Sequence, residues 1–175
     1  MLERLTCRLA TLRDAAPLAD AASSLFVAAF GADNTPEDMQ SYTASAFGPD
    51  IQSRQILDPF QDTLLLHRDD DFLGYAQIDY GPAPASLSLT RPGGIRRFYL
   101  ESRAHGSGAA SVLFDAVTFA AQQRGARCLW LGVWEHNARA IAYYRKAGFD
   151  VRADTSFLLG KDLQRDLLMV REGGR

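Results

Sequence analysis

The chain has 175 residues and a formal net charge of −2, and 47% of the residues are hydrophobic while 23% are charged. This balance is that of an ordinary globular protein, and the length supports one domain over residues 1–175 with a sizeable core. The pI is near 5.9, so the chain lacks the broad positive charge that nucleic-acid binding requires, and no nucleic-acid partner is expected.

Neither a membrane span nor a secretion signal is expected. No stretch of apolar residues is expected to be long enough to cross a bilayer, and residues 1–4 lack the apolar core of a signal peptide. Cys7 and Cys128 fall in predicted strands and are interpreted as small core residues rather than as a disulfide framework. The chain is therefore expected in the cytoplasm, with no membrane partner and no bound metal.

The first half of the chain predicts one strand, three helices and a hairpin. Asp14 and Thr35 stand where helix N-caps belong, and Pro36 with the acids after it suits a first helical turn. Gly31 and the Gly48-Pro49 pair mark helix ends. The predicted elements are a strand over 6–11, helices over 14–30, 35–47 and 50–57, and hairpin strands over 63–67 and 72–80.

The second half alternates strands and helices after a proline- and glycine-rich loop over 81–94. The longer helix carries apolar residues near helical spacing, including Leu113, Phe114 and Val117, which predicts a face packed against a sheet. The predicted elements are strands over 95–101 and 128–133, helices over about 107–124 and from 138, and final strands near 149–152 or 157–159 and over 167–170. This order predicts a mixed α/β fold with antiparallel hairpins and one central strand–helix–strand crossover.

The turn between the strand over 95–101 and the long helix is the most informative segment. It reads Arg103-Ala104-His105-Gly106-Ser107-Gly108-Ala109-Ala110, and it carries no bulky side chain over 106–110. Unpaired amides and the positive end of a helix dipole attract an anion, and glycine lets a phosphate approach the main chain closely. The turn therefore predicts a phosphorylated cofactor.

Other glycine-rich turns differ in their spacing. A Walker A loop needs Lys and then Ser or Thr after its last glycine, whereas Ala109 and Ala110 follow Gly108, so that class is excluded. A dinucleotide fingerprint fits Gly106 and Gly108 with Glu135 beyond the next strand, which leaves a nicotinamide-dependent oxidoreductase open. A tight loop with no ligand is also compatible with so short a motif.

Two motifs carry a family resemblance. Arg103-x-x-Gly106-x-Gly108 resembles the Q/R-x-x-G-x-G/A loop of the GCN5-related N-acetyltransferases (GNAT), and residues 137–149 resemble the family's N-x-x-A-I/R-x-F/L-Y-x-K-x-G-F signature. The motifs stand in the expected order, and the resemblance covers roughly residues 63–170. The run over 131–135 and the tail over 157–169 resemble the PaiA-type, polyamine-acetylating branch.

The resemblance implies an α+β fold with a mixed, mostly antiparallel sheet of six to seven strands, flanked by helices and with a splayed pair of central strands. It implies transfer of an acetyl group from acetyl-CoA, the co-substrate, to a primary amine of a small molecule by direct attack in a ternary complex. A polyamine-like acceptor is favoured, while a small amine, a drug amine or a peptide N-terminus fits the same chemistry. A non-catalytic acyl-CoA sensor on the same fold is the alternative, and a homodimer is compatible with the family.

Cofactor contacts follow from the same resemblance. The main chains of Phe98, Tyr99 and Leu100 are expected to pair with the pantetheine arm as an added strand. Asn137 is expected to cap the next helix and to contact the cofactor. The loop residues expected around the pyrophosphate are Arg103, His105, Gly106, Ser107, Gly108, Ala109 and Ala110.

Tyr144 is the expected general acid, because the matching tyrosine of the family lies beside the cofactor sulfur and a phenol can protonate the departing thiolate. Its neighbour Tyr143 is expected in the core. Glu135 is the leading candidate for the base that deprotonates the amine. A water relay is the alternative, and Glu101 and Asp79 are weaker choices.

A cationic acceptor requires acidic and aromatic side chains around the cleft. Candidates are the acids Asp33, Glu37, Asp38, Asp79 and Glu135 and the rings of Tyr80 and Trp134. The same residues are typical of caps, turns and cores, so they leave the identity of the acceptor open.

Overall fold

A computed structural model describes residues 4–173, which form five α-helices and seven β-strands. The helices are α1 (Ala15–Phe30), α2 (Pro36–Ala46), α3 (Pro49–Leu57), α4 (Ala109–Gln123) and α5 (Ala138–Lys146). The strands are β1 (Leu5–Leu9), β2 (Gln61–Arg68), β3 (Asp71–Asp79), β4 (Pro92–Leu100), β5 (Cys128–Trp134), β6 (Asp150–Leu159) and β7 (Asp162–Glu172).

The strands form one sheet in the order β1-β2-β3-β4-β5-β7-β6, in which only β4 and β5 pair in parallel. Helices cover both faces because each presents an apolar stripe to the sheet. On one face, Leu18 and Phe26 of α1 pack with Tyr75 of β3. On the other face, Leu113 of α4 packs with Leu66 of β2. The mixed, mostly antiparallel sheet confirms the predicted fold class.

The central strands β4 and β5 separate part-way along their length. Their parallel pairing covers only residues 92–95 with 128–131. Beyond these residues β4 stays paired with β3 and β5 with β7, and a register shift leaves Arg96 outside the β3–β4 pairing. A wedge therefore opens between two unpaired main-chain edges, which is the splayed pair that the resemblance implied.

Several predicted boundaries differ from the structure. The long helix begins at Ala109 rather than near Ser107, because Gly108 occupies the N-cap position with φ +83°. The strands predicted as alternatives near 149–152 and 157–159 are parts of one strand, β6, which pairs along β7. Strand β4 starts at Pro92, within the predicted loop.

The two predicted N-caps have different outcomes. Thr35 caps α2 as predicted, since its hydroxyl oxygen accepts the Asp38 N–H at 3.2 Å. The Asp14 side chain does not cap α1, because its carboxylate accepts the Thr11 N–H at 2.7 Å and binds Arg8 instead.

One segment has the length and composition of a membrane span, contrary to the expectation from the sequence. Leu12–Asp33 has 22 residues and a mean hydropathy of 1.4. Its helix α1 buries Leu18, Ala22 and Phe26 in the protein core, and core helices meet the same criterion, so the segment is weak evidence for a span. The residues 1–3 considered for a signal peptide lie outside the described residues.

Candidate active site

The loop before α4 has the geometry of an anion site. Gly106 and Gly108 adopt φ values of +76° and +83°, and a Cβ built at either position meets no atom within 4 Å. Within residues 4–173, no protein acceptor binds the main-chain N–H groups of Gly106, Gly108, Ala109 and Ala110. These donors stand at the positive end of a 15-residue helix, so the loop can hold a phosphate against its main chain.

Neighbouring side chains hold this loop in place. Ser107 Oγ donates to the Ala104 carbonyl at 2.7 Å, and the Tyr143 hydroxyl donates to the Ala110 carbonyl at 3.1 Å. Tyr143 is half-buried and stacks on Phe98 with ring centroids 6.0 Å apart. It therefore packs at the edge of the core, with its hydroxyl committed to the loop.

A cavity of about 410 Å³, here called the cofactor cavity, adjoins this loop and the open edge of β4. The predicted cofactor residues that line it are Phe98, Tyr99, Leu100, His105, Ala110 and Asn137. Asn137 also caps α5 as predicted, because its Oδ1 accepts the Ala140 N–H at 3.1 Å. Burial lowers the pKa of His105, and the nearby Arg139 lowers it further.

A second cavity of about 160 Å³, here called the acceptor cavity, lies in the wedge between β4 and β5. Its lining from outside these two strands includes Phe26, Phe30, Tyr42, Phe157, Gln164 and Asp166. Gln164 Nε2 donates to Asn34 Oδ1 at 2.7 Å, which ties β7 to the connection between α1 and α2. Among the residues that line this cavity, Asp166 carries the only carboxylate.

The two cavities meet at Tyr144. Its side chain is 8% exposed and lines both cavities, as do Phe98, Tyr99, Asn137 and Ala140. Burial raises the pKa of Tyr144, so its phenol is protonated at neutral pH. A protonated phenol thus belongs to the wall that the two cavities share.

The model of the acetyltransferase (GNAT) family matches residues 21–149, which is most of the chain. This chain belongs to the GNAT acetyltransferase family. It is accordingly an acetyl-CoA-dependent N-acetyltransferase, and acetyl-CoA is its co-substrate. The match favours a coenzyme A-binding role for the glycine-rich loop over the dinucleotide-binding role of a nicotinamide-dependent oxidoreductase.

Several relatives agree with this assignment. An uncharacterized N-acetyltransferase of Lactobacillus delbrueckii subsp. lactis is 32% identical, over 83% of this chain and 84% of that protein. One from Mycobacterium bovis is 31% identical, over 92% of this chain and 99% of that protein. The crystal structure of PaiA N-acetyltransferase from Thermoplasma acidophilum in complex with coenzyme A aligns with a TM-score of 0.80 at 16% identity, over 97% and 99% of the two chains. The last likeness shows a shared fold.

Six predicted site residues of the acetyltransferase line neither cavity: four belong to the loop itself, Gly106, Ser107, Gly108 and Ala109, and the other two are Arg103 and Glu135. Arg103 binds Glu101 and Asp71, with its Nη2 2.9 Å from Asp71 Oδ1. Glu135 lines a neighbouring outer cavity beside β6 and β7, where its Oε2 lies 3.1 Å from Arg165 Nη1. The structure therefore pairs both charges with protein groups and brings neither to Tyr144.

The other acidic and aromatic candidates also divide by position. Asp33 lines the outer cavity with Glu135, and Trp134 lines both the outer and the acceptor cavity. The candidates that line none of the three cavities are Glu37, Asp38, Asp79, Tyr80 and Glu101. Of the predicted acceptor residues, only Trp134 borders the acceptor cavity itself.

Asp166 lines the acceptor cavity, although its sequence neighbourhood predicts no chemical role for it. It pairs with Trp134 in the β5–β7 register, and its Oδ2 lies 3.4 Å from the position of a Cβ built at Gly132. Burial raises the pKa of Asp166 to about 6. An acid beside the apolar run over 167–170 is visible in the sequence, but its place beside the wedge depends on the strand order.

We expect Asp166→Asn to stabilise the acetyltransferase near pH 8 and to have much less effect near pH 4. Folding raises the pKa of Asp166 above that of an ordinary carboxyl group, so the native state holds this proton more tightly than the unfolded chain does. The stability contributed by this bound proton is fully present below the pKa that Asp166 has in the unfolded chain. It is lost as the pH rises through about 6. Thermal unfolding of both proteins across this range tests the point, and a pH-independent difference in Tm would contradict it.

Proposed function

We propose that the acetyltransferase moves the acetyl group directly from acetyl-CoA to a primary amine of a small molecule, with both substrates bound at once. The observation that carries this proposal is that the cofactor and acceptor cavities meet at Tyr144. An acceptor cavity of about 160 Å³ suits a small group rather than a folded partner. Direct attack also agrees with the position of Cys128, which is buried with Trp130 and Leu168 and lines neither cavity.

The cofactor would bind in two ways. Its diphosphate would accept hydrogen bonds from the free amides of Gly106, Gly108, Ala109 and Ala110, at the positive end of α4. Its pantetheine arm would pair with the main chain over 98–100, since the wedge leaves that edge of β4 open. Both interactions use main-chain groups, so they depend on backbone shape more than on side-chain identity.

Arg139 is expected to add charge to this site, because it lines the cofactor cavity and forms no ion pair within the described residues. Replacing it as Arg139→Gln should raise the Kd of acetyl-CoA about 5-fold, since an exposed ion pair contributes about 1 kcal/mol. The loss should shrink at high salt. Calorimetry at two salt concentrations measures both effects. Arg145→Gln, an exposed arginine of the same helix outside the cavity, is the control, and equal weakening by both variants would remove Arg139 from the site.

Tyr144 would act as the general acid. When the amine attacks the thioester carbon, the carbon–sulfur bond breaks and the thiolate needs a proton. The buried phenol of Tyr144 keeps its proton at neutral pH and stands at the junction of the two cavities. Among residues 4–173, the one other hydroxyl side chain that lines both cavities is that of Tyr99.

A polyamine-like acceptor is favoured by the charge next to the acceptor cavity. The outer cavity, about 650 Å³, shares Trp134 and Gln164 with it. The carboxylates that line the outer cavity are Asp33, Glu135, Asp154 and Asp162, against one guanidinium, that of Arg165. A long acceptor could place one amine beside Tyr144 and a second ammonium among these acids.

An acceptor screen tests the proposed function. Purified protein with acetyl-CoA is offered polyamines, monoamines, drug amines and short peptides, and released thiol is counted. We expect turnover with primary amines and a higher kcat/KM for polyamines than for monoamines of equal length. Binding of acetyl-CoA without turnover across the whole library would refute the transfer reaction and favour the sensor. A cytoplasmic location and a homodimer stay predictions.

A further inference from the structure

We infer that Asp166 is the base of this acetyltransferase: its carboxylate binds the acceptor ammonium in the acceptor cavity and takes a proton from it. The inference rests on the amine acceptor proposed above. It assigns a catalytic role to a residue that the sequence marks only as part of the tail over 157–169, and it removes that role from Glu135.

The position of Asp166 supports this role. It is the one carboxylate among the residues that line the acceptor cavity, and within residues 4–173 no hydrogen-bond donor or cation is bound to it. Gly132 faces it, and the missing side chain there leaves room beside Asp166 Oδ2 where β5 leaves β4. A carboxylate that is partly removed from water and has no partner favours a cationic ligand.

The charged groups around Asp166 support the same role. The other ionisable groups that line the cavity are Tyr42 from α2, Arg96, Arg97 and Tyr99 from β4, and Tyr144 from α5. The lining residues from α1, β5 and β6 are not ionisable, and Gln164 is the other lining residue of β7. The two arginines have partners elsewhere, because Arg96 pairs with Asp79 at 3.6 Å and Arg97 donates to Gln77 at 2.7 Å. They leave the Asp166 carboxylate free for the substrate.

The proton affinity of Asp166 suits this role. Burial raises its pKa to about 6, and a general base works best when its pKa lies near the working pH. Glu135, the rival carboxylate, is bound to Arg165 in the outer cavity. The two acids therefore differ in partner and in the cavity they face.

The proposed step conserves every proton and electron pair. The acceptor enters as an ammonium ion and gives one proton to Asp166, which frees the nitrogen lone pair for attack on the thioester carbon. The carbon–nitrogen bond forms and the carbon–sulfur bond breaks, and the sulfur leaves with the bonding pair and takes the Tyr144 proton. The second nitrogen proton restores Tyr144, and Asp166 releases its proton to solvent. The products are an amide, the free thiol of coenzyme A and one proton.

The pH dependence of kcat/KM, measured with the best amine of the screen, tests Asp166. In the unsubstituted protein, kcat/KM should rise with pH around a midpoint of about 6, which forms an acidic limb in the profile. Asp166→Asn should lower kcat/KM at neutral pH about 10²-fold and abolish the limb, and Asp166→Glu should restore part of both. Glu135→Gln should keep the limb. An unchanged acetyl-CoA Kd shows that each variant is folded. A limb that survives in Asp166→Asn, or is lost in Glu135→Gln, would overturn the inference.

A titration without turnover separates this inference from the proposed function. The carboxyl carbon of Asp166 is followed by NMR in the complex with coenzyme A, assigned by its absence in Asp166→Asn, with and without n-butylamine. We expect the ammonium to lower the pKa of Asp166, since an adjacent cation favours the carboxylate. An unaltered pKa refutes the role of Asp166 even if amines are acetylated. A lowered pKa without turnover in the screen upholds the ammonium site and refutes the transfer reaction.

Discussion

Tyr144→Phe is expected to lower kcat about 10²-fold while the Kd of acetyl-CoA stays within about twofold, the signature of a lost general acid. The substitution removes only the hydroxyl, and the ring keeps its packing against Phe98 and Phe149. Without that proton the thiolate must leave unprotonated, which slows the breaking of the carbon–sulfur bond. Steady-state rates of thiol release give kcat, and calorimetry gives the Kd.

The adjacent tyrosine supplies a matched control. Tyr143→Phe also loses one hydroxyl, but that hydroxyl donates to the Ala110 carbonyl and lines only the cofactor cavity. Its loss should loosen the phosphate loop, so acetyl-CoA should bind a few-fold more weakly while kcat changes little. Normal turnover in Tyr144→Phe, or equal losses of kcat in the two variants, would remove Tyr144 from the chemistry.

Gly106→Val and Gly108→Val are each expected to raise the Kd of acetyl-CoA about 30-fold or more. In the free protein a Cβ at either position meets no atom within 4 Å, so the side chain would enter the space where a phosphate approaches the amides. Positive φ also makes both substitutions locally strained, which adds on the order of 1–2 kcal/mol of destabilisation. Calorimetric titration with acetyl-CoA measures the Kd.

The strain and the loss of binding can be separated with a third glycine. Gly125 has φ +73° and lies in the turn after α4, and a Cβ there has only Arg91 Nη2 as a neighbour, at 4.0 Å. Gly125→Val should therefore lower Tm to a similar extent and leave the Kd unchanged. If Gly125→Val weakened acetyl-CoA binding as much as the loop variants do, backbone strain would explain the effect. The hypothesis of an anion site at Gly106 and Gly108 would then be wrong.

The family and the order of the elements could be predicted from the sequence, and so could the loop residues that we propose for the cofactor half of the site. These features rest on short-range patterns, in which the physical cause lies within a few residues. Gly106 and Gly108 precede an amphipathic helix, which favours an anion site, and the side chains of Thr35 and Asn137 each accept the main-chain N–H three residues ahead. The boundary of α4 was misplaced, because the start of the helix depends on the left-handed conformation of Gly108.

The proposed acceptor half of the site could not be predicted from the sequence, because it depends on long-range strand pairing. Strand order places β7 beside β5, and this long-range pairing brings Asp166 to the wedge that also holds Phe30, from the other end of the chain. Glu135 follows β5 directly, yet its pairing with Arg165 of β7 turns its charge toward the outer cavity. Local patterns encode which residues are apolar or acidic, whereas the proton affinity of an acid is set by its burial and its neighbours, and those exist only once the sheet has assembled.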